Sequence, residues 1–308
     1  MSGLTYTEAV VVGGFQGITE LFPVSSLGHS VLVPALAGGR WAEDLNVSAP
    51  ESPYLAFIVG LHVATAAALL VFFWRDWVRI LAGFGTSLRH RRIHTPAERL
   101  AWLIVVATIP VGIAGVALEH LFRTTLGRPV PAAAFLLANG AVLLAGERLR
   151  RRVRVPAGVA ATGDAGGSGQ HSGGLDESEL RLAQMPVGKG LFIGSAQILA
   201  LLPGISRSGV TMVAGLLRGL NHDDAARFSF LLATPVILAA GVFKIPDLFG
   251  PLGDGIGGQV LAGSAASFVS AYFAVRFLTR YFHTRTLTPF GVYCVAAGAG
   301  ALIWLTVR

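Results

Sequence analysis

Charge is scarce in this chain: Asp, Glu, Lys and Arg make up 13% of its 308 residues, whereas 53% are hydrophobic. Together with a mean hydropathy of +0.63, this excludes an ordinary soluble domain, in which about a quarter of residues are charged. Also missing are apolar–polar alternating segments of about ten residues, which excludes a transmembrane barrel. The bilayer then dictates helices, because backbone groups at membrane depth must be satisfied within their own segment. There is a single cysteine, Cys294. It cannot form an intrachain disulfide, and inside an apolar run it reads as a packed small thiol, not a redox group. The N-terminus carries no positive stretch ahead of its first apolar segment, so no cleavable signal peptide is expected and insertion relies on the spans themselves. The formal net charge of +7 could suit nucleic acid. Its arginines are instead concentrated between apolar runs, where topology explains them, and no nucleic-acid partner is expected.

What is present is a set of apolar runs long enough to cross a membrane, at about 54–74, 100–118, 131–147, 228–243, 257–275 and 288–306. Arg75, Arg79, Arg89, Arg91, Arg92 and Arg99 follow the first, Arg148, Arg150, Arg151, Arg152 and Arg154 the third, and Arg276, Arg280 and Arg285 the fifth. The positive-inside rule makes these three loops cytoplasmic. The 54–74 span then runs inward and the 228–243 span outward, so the two halves have opposite topology. Each half is preceded by an apolar segment, 8–38 and 188–220, broken in its middle by Pro, Gly and Ser. Such a break suits a re-entrant helix–break–helix hairpin, since irregular backbone at membrane depth is tolerated where it lines a cavity. The first hairpin is expected to enter from outside and the second from the cytoplasm, their tips meeting near mid-membrane.

A faint echo accompanies this plan. Setting Ser25 on Ser206 also places Gly28 on Gly209 and Ser30 on Thr211, with a proline shortly upstream in each. The expected architecture is thus all-α and polytopic, with about six transmembrane helices and two re-entrant hairpins in an inverted-topology repeat, the arrangement that places a site between halves. The first repeat spans 1–154 and the second 188–308. Between them, the Gly- and Ser-rich stretch 155–187 reads as a flexible cytoplasmic linker. The segment 39–53, with Trp41, Glu43, Asp44 and Glu51, reads as an outer cap.

Ionisable groups in membrane segments are costly, so dense clusters of them mark function. In the first hairpin, Gln16 and Glu20 are four apart and share a helix face, offering oxygen ligands to one hard cation, Mg²⁺ or Ca²⁺. His29, beyond the Pro23 break, can fold over the same cavity as a proton carrier. Ser25 and Ser26 suit a nucleophile, a phosphate ligand or a cation ligand. A helix-packing surface would account for these serines and Gly28, but not for Glu20. In the second hairpin, Arg207 stands between Ser206 and Ser208, after Pro203 and Gly204 and before Gly209 and Thr211. A guanidinium there matches the planar bidentate geometry of phosphate better than it matches snorkelling to the interface. A helix starting near Ser208 would point its positive end at the anion. Gln197 is expected as an amide supporting this loop. His62, early in an apolar span, reads as a satisfied interior histidine, and Asp224 and Arg227 as an ion pair or helix cap.

The two motifs, Gln16-x-x-x-Glu20-x-x-Pro-Val-Ser-Ser-x-Gly-His29 and Pro203-Gly-x-Ser-Arg207-Ser-Gly-x-Thr211, the latter followed by Ala226-Arg-Phe-Ser-Phe-Leu, resemble those of the BacA/UppP-type undecaprenyl-diphosphate phosphatases. The resemblance covers almost the whole chain apart from the linker. It implies an enzyme of the bacterial cell (inner) membrane that hydrolyses a polyprenyl diphosphate, undecaprenyl diphosphate, to undecaprenyl phosphate and inorganic phosphate. That recycles the lipid carrier for peptidoglycan synthesis and confers bacitracin resistance. It also implies a divalent cation and a site opening to the outer face. Carried over by position, Glu20 and Gln16 would serve the metal or diphosphate, and His29 and Ser26 would take part in phosphoryl transfer. Arg207, Ser206, Ser208 and Thr211 would hold phosphate oxygens, with Ser25, Gly204 and Gly209 beside them. Gln16 stands where many members have glutamate, which implies tighter dependence on Glu20. A homodimer is one assembly open to such a chain. The rival reading is a polyprenyl-phosphate transporter or flippase, because inverted repeats with broken helices are common among transporters.

Overall fold

The computed structural model of the protein describes residues 4–45, 53–121, 128–152, 177–248, 250 and 255–307. These residues form thirteen α-helices and one 3₁₀ segment, with no strand among them. Five helices are long and apolar enough to cross a bilayer: α6 (Pro96–Leu121), α7 (Pro129–Arg152), α11 (His222–Leu248), α12 (Gly257–Phe282) and α13 (Thr288–Val307). The first expected run is helix α4 (Pro53–Phe72). It turns by 88° into α5 (Trp74–His90). The arginine-rich segment taken as a loop is therefore largely helical, with Asp76 in its first turn and Arg89 in its last, each matching the helix dipole.

Both expected hairpins are present. The first pairs α1 (Tyr6–Leu21) with α2 (Ser26–Ala37), followed by the short α3 (Gly39–Asp44). Thr5 starts α1 through a capping box with Glu8, satisfying two otherwise orphaned amides. The second pairs α9 (Val187–Ser195) and a 3₁₀ segment (Ala196–Leu201) with α10 (Arg207–Leu217). Part of the expected linker is folded too: α8 (Glu177–Ala183) buries Ser178, Glu179 and Leu182. Residues 155–176 of that linker lie outside the described residues, as do 153–154 before it and 46–52 of the outer segment.

Packing crosses between the halves. The first arm of hairpin one, α1, lies along α12, and the first arm of hairpin two, α9, lies along α6; α7 pairs with α13 and α4 with α11. Small residues permit the two equivalent crossings. A Cβ on Gly13 would stand 2.1 Å from the Gly263 carbonyl oxygen, and one on Gly194 2.0 Å from that of Ala107. Without a hydrophobic force between helices in lipid, such close backbone approach is what supplies dispersion energy. Each hairpin is thereby clamped by a span of the opposite half, which brings the two tips together inside the bundle.

Candidate active site

Both tips are built by the same device. Ser25 caps α2 and Ser206 caps α10, each hydroxyl accepting from the amide of the glycine three residues on, Gly28 and Gly209, at 3.2 Å. The sequence echo of Ser and Gly is therefore an echo of helix starts. The same register also sets Gln16 on Gln197 and Gly13 on Gly194. Ser25 adopts φ +69, a conformation uncommon for a residue with a Cβ. Its hydroxyl also accepts from the Gly204 amide of the opposite tip at 3.2 Å, so one oxygen ties both hairpins and holds the backbone there. Ser206 returns the contact by donating to the Phe22 carbonyl at 3.4 Å.

Asn139, fully buried on α7, bridges the tips. Its oxygen accepts from the Ser206 amide at 3.0 Å and its nitrogen donates to the Pro23 carbonyl at 3.1 Å, and these two partners fix the orientation of the amide. The Cys294 thiol lies against the same amide, 3.3 Å away, buried as expected. Asn139 is a residue that sequence reasoning missed. It belongs to neither motif and meets Pro23 across 116 residues of chain.

The charges converge on one carboxylate. Glu20, near the end of α1, accepts from Arg207 on one oxygen and from Ser26 on the other. Gln16 donates to the second oxygen at 3.1 Å, one helical turn away as the i,i+4 spacing requires. Arg207 also donates to the Ala233 carbonyl of α11 at 3.3 Å. Glu20, Ser26 and Arg207 are partly exposed, so this is the face a ligand reaches. Ser25, Ser206, Ser208 and Thr211 are buried. Thr211 donates to the Arg207 carbonyl of its own helix, and the Ser206 and Ser208 hydroxyls lie 3.1 Å apart. The amides of Gly204 and Gly209 are taken up by the two capping serines. The structure thus brings Gln16, Glu20, Ser26 and Arg207 into one cluster and sets the remaining hydroxyls and glycines behind it as its frame.

Two histidines border the cluster. His29 donates from Nδ1 to the Ser25 carbonyl at 2.7 Å, which leaves Nε2 as the basic nitrogen; it accepts from the Tyr293 hydroxyl at 2.8 Å. Tyr293, stacked on the imidazole at 5.7 Å, was not foreseen. His29 lies one turn along α2 from Ser26. His62, read from sequence as a satisfied interior residue, is only partly so. Its Nδ1 donates to the Ile58 carbonyl at 2.9 Å, while Nε2 stands 3.5 Å from Glu20 and 3.4 Å from Gln16. Gln197 is buried, and neither atom of its amide has a partner among the described residues. Asp224 accepts a two-pronged bond from Arg181, and Arg227 pairs with Asp76 at 2.9 Å, the ion-pair roles expected of them.

Among the described residues no three His, Cys, Asp or Glu side chains converge as a self-sufficient metal cage. Glu20 and Gln16 supply one carboxylate and one amide. That donor set fits a hard cation which shares its coordination with substrate phosphates, the usual manner of Mg²⁺.

A bundle of membrane-spanning helices enclosing two broken hairpins, with an arginine–carboxylate–serine cluster where the tips meet, defines a polytopic membrane protein whose intramembrane site is suited to a phosphate group. The chain belongs to the BacA family: the family model described as Bacitracin resistance protein BacA matches residues 9–300. It is 76% identical over 305 residues to the undecaprenyl-diphosphatase of Mycolicibacterium paratuberculosis, covering 99% of both chains. It is 54% identical to undecaprenyl-diphosphatase 1 of Frankia casuarinae, over 97% of this chain and 98% of the relative. Against the undecaprenyl-diphosphatase of Granulibacter bethesdensis it is 41% identical, over 97% and 96%.

Proposed function

We propose that the protein hydrolyses undecaprenyl diphosphate to undecaprenyl phosphate and inorganic phosphate, in the bacterial inner membrane, from a site opening to the outer face. The observation that carries this reading is the Glu20 carboxylate held at once by Arg207 and Ser26. A binding site for a lipid phosphate needs the arginine; it does not need a hydroxyl hydrogen-bonded to a carboxylate. That second feature favours chemistry over transport.

In the proposed reaction the terminal phosphate draws Arg207 away from Glu20, since a guanidinium pairs bidentately with phosphate as it does with carboxylate. Glu20, no longer paired with the guanidinium and therefore more basic, takes the proton of the Ser26 hydroxyl that already donates to its other oxygen, as Ser26 Oγ attacks the terminal phosphorus. The bond from that phosphorus to the bridging oxygen breaks, and undecaprenyl phosphate leaves with the bridging oxygen and its electron pair. Water then attacks the phosphoserine as the Tyr293 hydroxyl turns away from His29 Nε2, which accepts the water proton; the Ser26 Oγ–phosphorus bond breaks, Ser26 is reprotonated from Glu20, and His29 passes its proton to the departing inorganic phosphate. Arg207 neutralises the equatorial oxygens in both steps. A divalent cation held by Glu20 and Gln16 would add charge neutralisation on the diphosphate.

The test is phosphate release from undecaprenyl diphosphate by purified protein, for wild type and for Ser26→Ala, Glu20→Gln and His29→Gln, with mass spectrometry of the quenched protein. Loss of release in Ser26→Ala and Glu20→Gln, with phosphate trapped on Ser26 in His29→Gln, supports the scheme. Release that survives Ser26→Ala sinks the serine nucleophile and leaves water as the attacking group. No release by folded wild-type protein sinks the phosphatase reading and brings forward the lipid carrier.

A further inference from the structure

We propose that His62 is the third protein donor to the divalent cation, completing with Glu20 and Gln16 a three-cornered site on the facing sides of α1 and α4. The inference rests on the proposed use of a cation by this site.

Three observations carry it. First, the tautomer is set by the fold: Nδ1–H is spent on the Ile58 carbonyl one turn back, so the lone pair on Nε2 is the one offered to the cluster. Anchoring one ring nitrogen on a carbonyl is also how metal-binding histidines are usually oriented. Second, the spacing is that of ligands sharing one ion. Glu20 Oε2, His62 Nε2 and the Gln16 amide are separated by 3.1, 3.4 and 3.5 Å. A point about 2.1–2.2 Å from all three, the ordinary bond length for Mg²⁺, Mn²⁺ or Zn²⁺ to oxygen and nitrogen, lies just off the plane of that triangle. A half-turn of the Gln16 amide presents its oxygen in place of its nitrogen, about a torsion that is broad and soft. Third, the site is open on the correct side. The His62 side chain is 29% exposed against 7% for Glu20, so an ion and the phosphates that complete its shell approach over the imidazole.

This donor set has a consequence for metal choice. One carboxylate, one amide and one imidazole favour a transition-metal ion that accepts nitrogen, such as Mn²⁺, over Ca²⁺, which prefers an all-oxygen shell. It also gives Gln16 a place in the site without a second negative charge, because the imidazole supplies the third bond.

The deciding experiment is pulsed electron paramagnetic resonance of Mn²⁺ bound to the full chain in lipid nanodiscs, at natural abundance and with ¹⁵N-histidine. Wild type and His29→Gln are expected to show imidazole nitrogen modulation that changes on labelling. His62→Gln is expected to lose it, with Mn²⁺ affinity down about tenfold or more and Ca²⁺ affinity little changed. The wild-type labelling result stands even where a variant fails to fold. Bound Mn²⁺ without histidine modulation, or modulation lost in His29→Gln and kept in His62→Gln, overturns the assignment. Absence of Mn²⁺ binding overturns both this inference and the cation reading, while phosphate release measured in EDTA shows separately whether the phosphatase reading stands.

Discussion

Arg207, the first residue of α10, reaches across the tip contact to Glu20 at the end of α1, and this ion pair joins one hairpin to the other. A cation at a helix N-terminus is poorly placed with respect to the helix dipole. The opposing carboxylate offsets that cost, and an incoming phosphate can do the same while gaining the dipole as well. The guanidinium that organises the tip contact is thus also the group for which a phosphate would compete. Arg207→Lys retains charge but loses the fork. Phosphate release is expected to fall on the order of 10²–10³-fold in Arg207→Lys and at least as far in Arg207→Ala, read as kcat and KM in detergent. A lysine variant within about threefold of wild type would show that charge alone suffices.

Asn139 supports the same contact from behind. Asn139→Ala leaves the Pro23 carbonyl and the Ser206 amide buried without their partner. Each unsatisfied group costs about 1–3 kcal/mol, so a loss of about 2–6 kcal/mol is expected, seen as a lower melting temperature together with weakened activity. An unchanged melting temperature would mean that water replaces the amide.

The hairpins were legible because Pro23, Pro203 and Gly204 interrupt apolar runs that would otherwise continue, and the cluster of Glu20, Ser26 and Arg207 because charge at membrane depth needs a reason. What the hydroxyls do was not legible. A serine that caps a helix and a serine that holds phosphate look alike in sequence, and the structure spends Ser25 and Ser206 as caps. His62, Asn139 and Tyr293 escaped because their partners are 46, 116 and 264 residues away, where no local pattern points. Helix α8 escaped because seven residues at the end of a Gly-rich stretch carry no periodicity. The doubled Gln16 and Gln197 could have been found by extending the Ser25–Ser206 register backwards.

Gly204 offers a separation of two effects. It has φ +115, and an added Cβ would stand 2.4 Å from the Ala132 carbonyl oxygen and 2.6 Å from the Leu136 nitrogen on α7. Gly219 has φ +90 with nothing within 4 Å. Gly219→Ala should cost only the conformational strain, about 1–2 kcal/mol, whereas Gly204→Ala must also displace backbone and is expected to lose both folded yield and activity. Equal melting temperatures for the two variants would show that the tip is free to move off α7.

Removal of metal gives a third kind of test. With one carboxylate in the cluster, the cation is expected to bind chiefly together with the diphosphate. EDTA should abolish phosphate release, excess Mg²⁺ or Mn²⁺ should restore it, and the metal concentration needed should fall as substrate rises. Release indifferent to EDTA would remove the cation from the reaction.

Away from the membrane segments, Glu179 on α8 gives a pH-dependent stability. Its carboxyl is buried, and burial raises its pKa; Arg79 opposes this from 2.7 Å, but Asp76 shares that guanidinium and pushes the other way. Burial prevails, and the second carboxylate oxygen has no partner among the described residues. A carboxyl whose pKa is higher folded than unfolded contributes its full stability below the unfolded value and loses it as pH rises through the folded one. Glu179→Gln does not titrate. The melting temperature of wild type relative to Glu179→Gln should therefore be highest at acid pH and decline as pH is raised through and above the ordinary carboxylate range. A difference that instead grows with pH would mean that the Arg79 ion pair outweighs desolvation and that α8 is held to the bundle by charge.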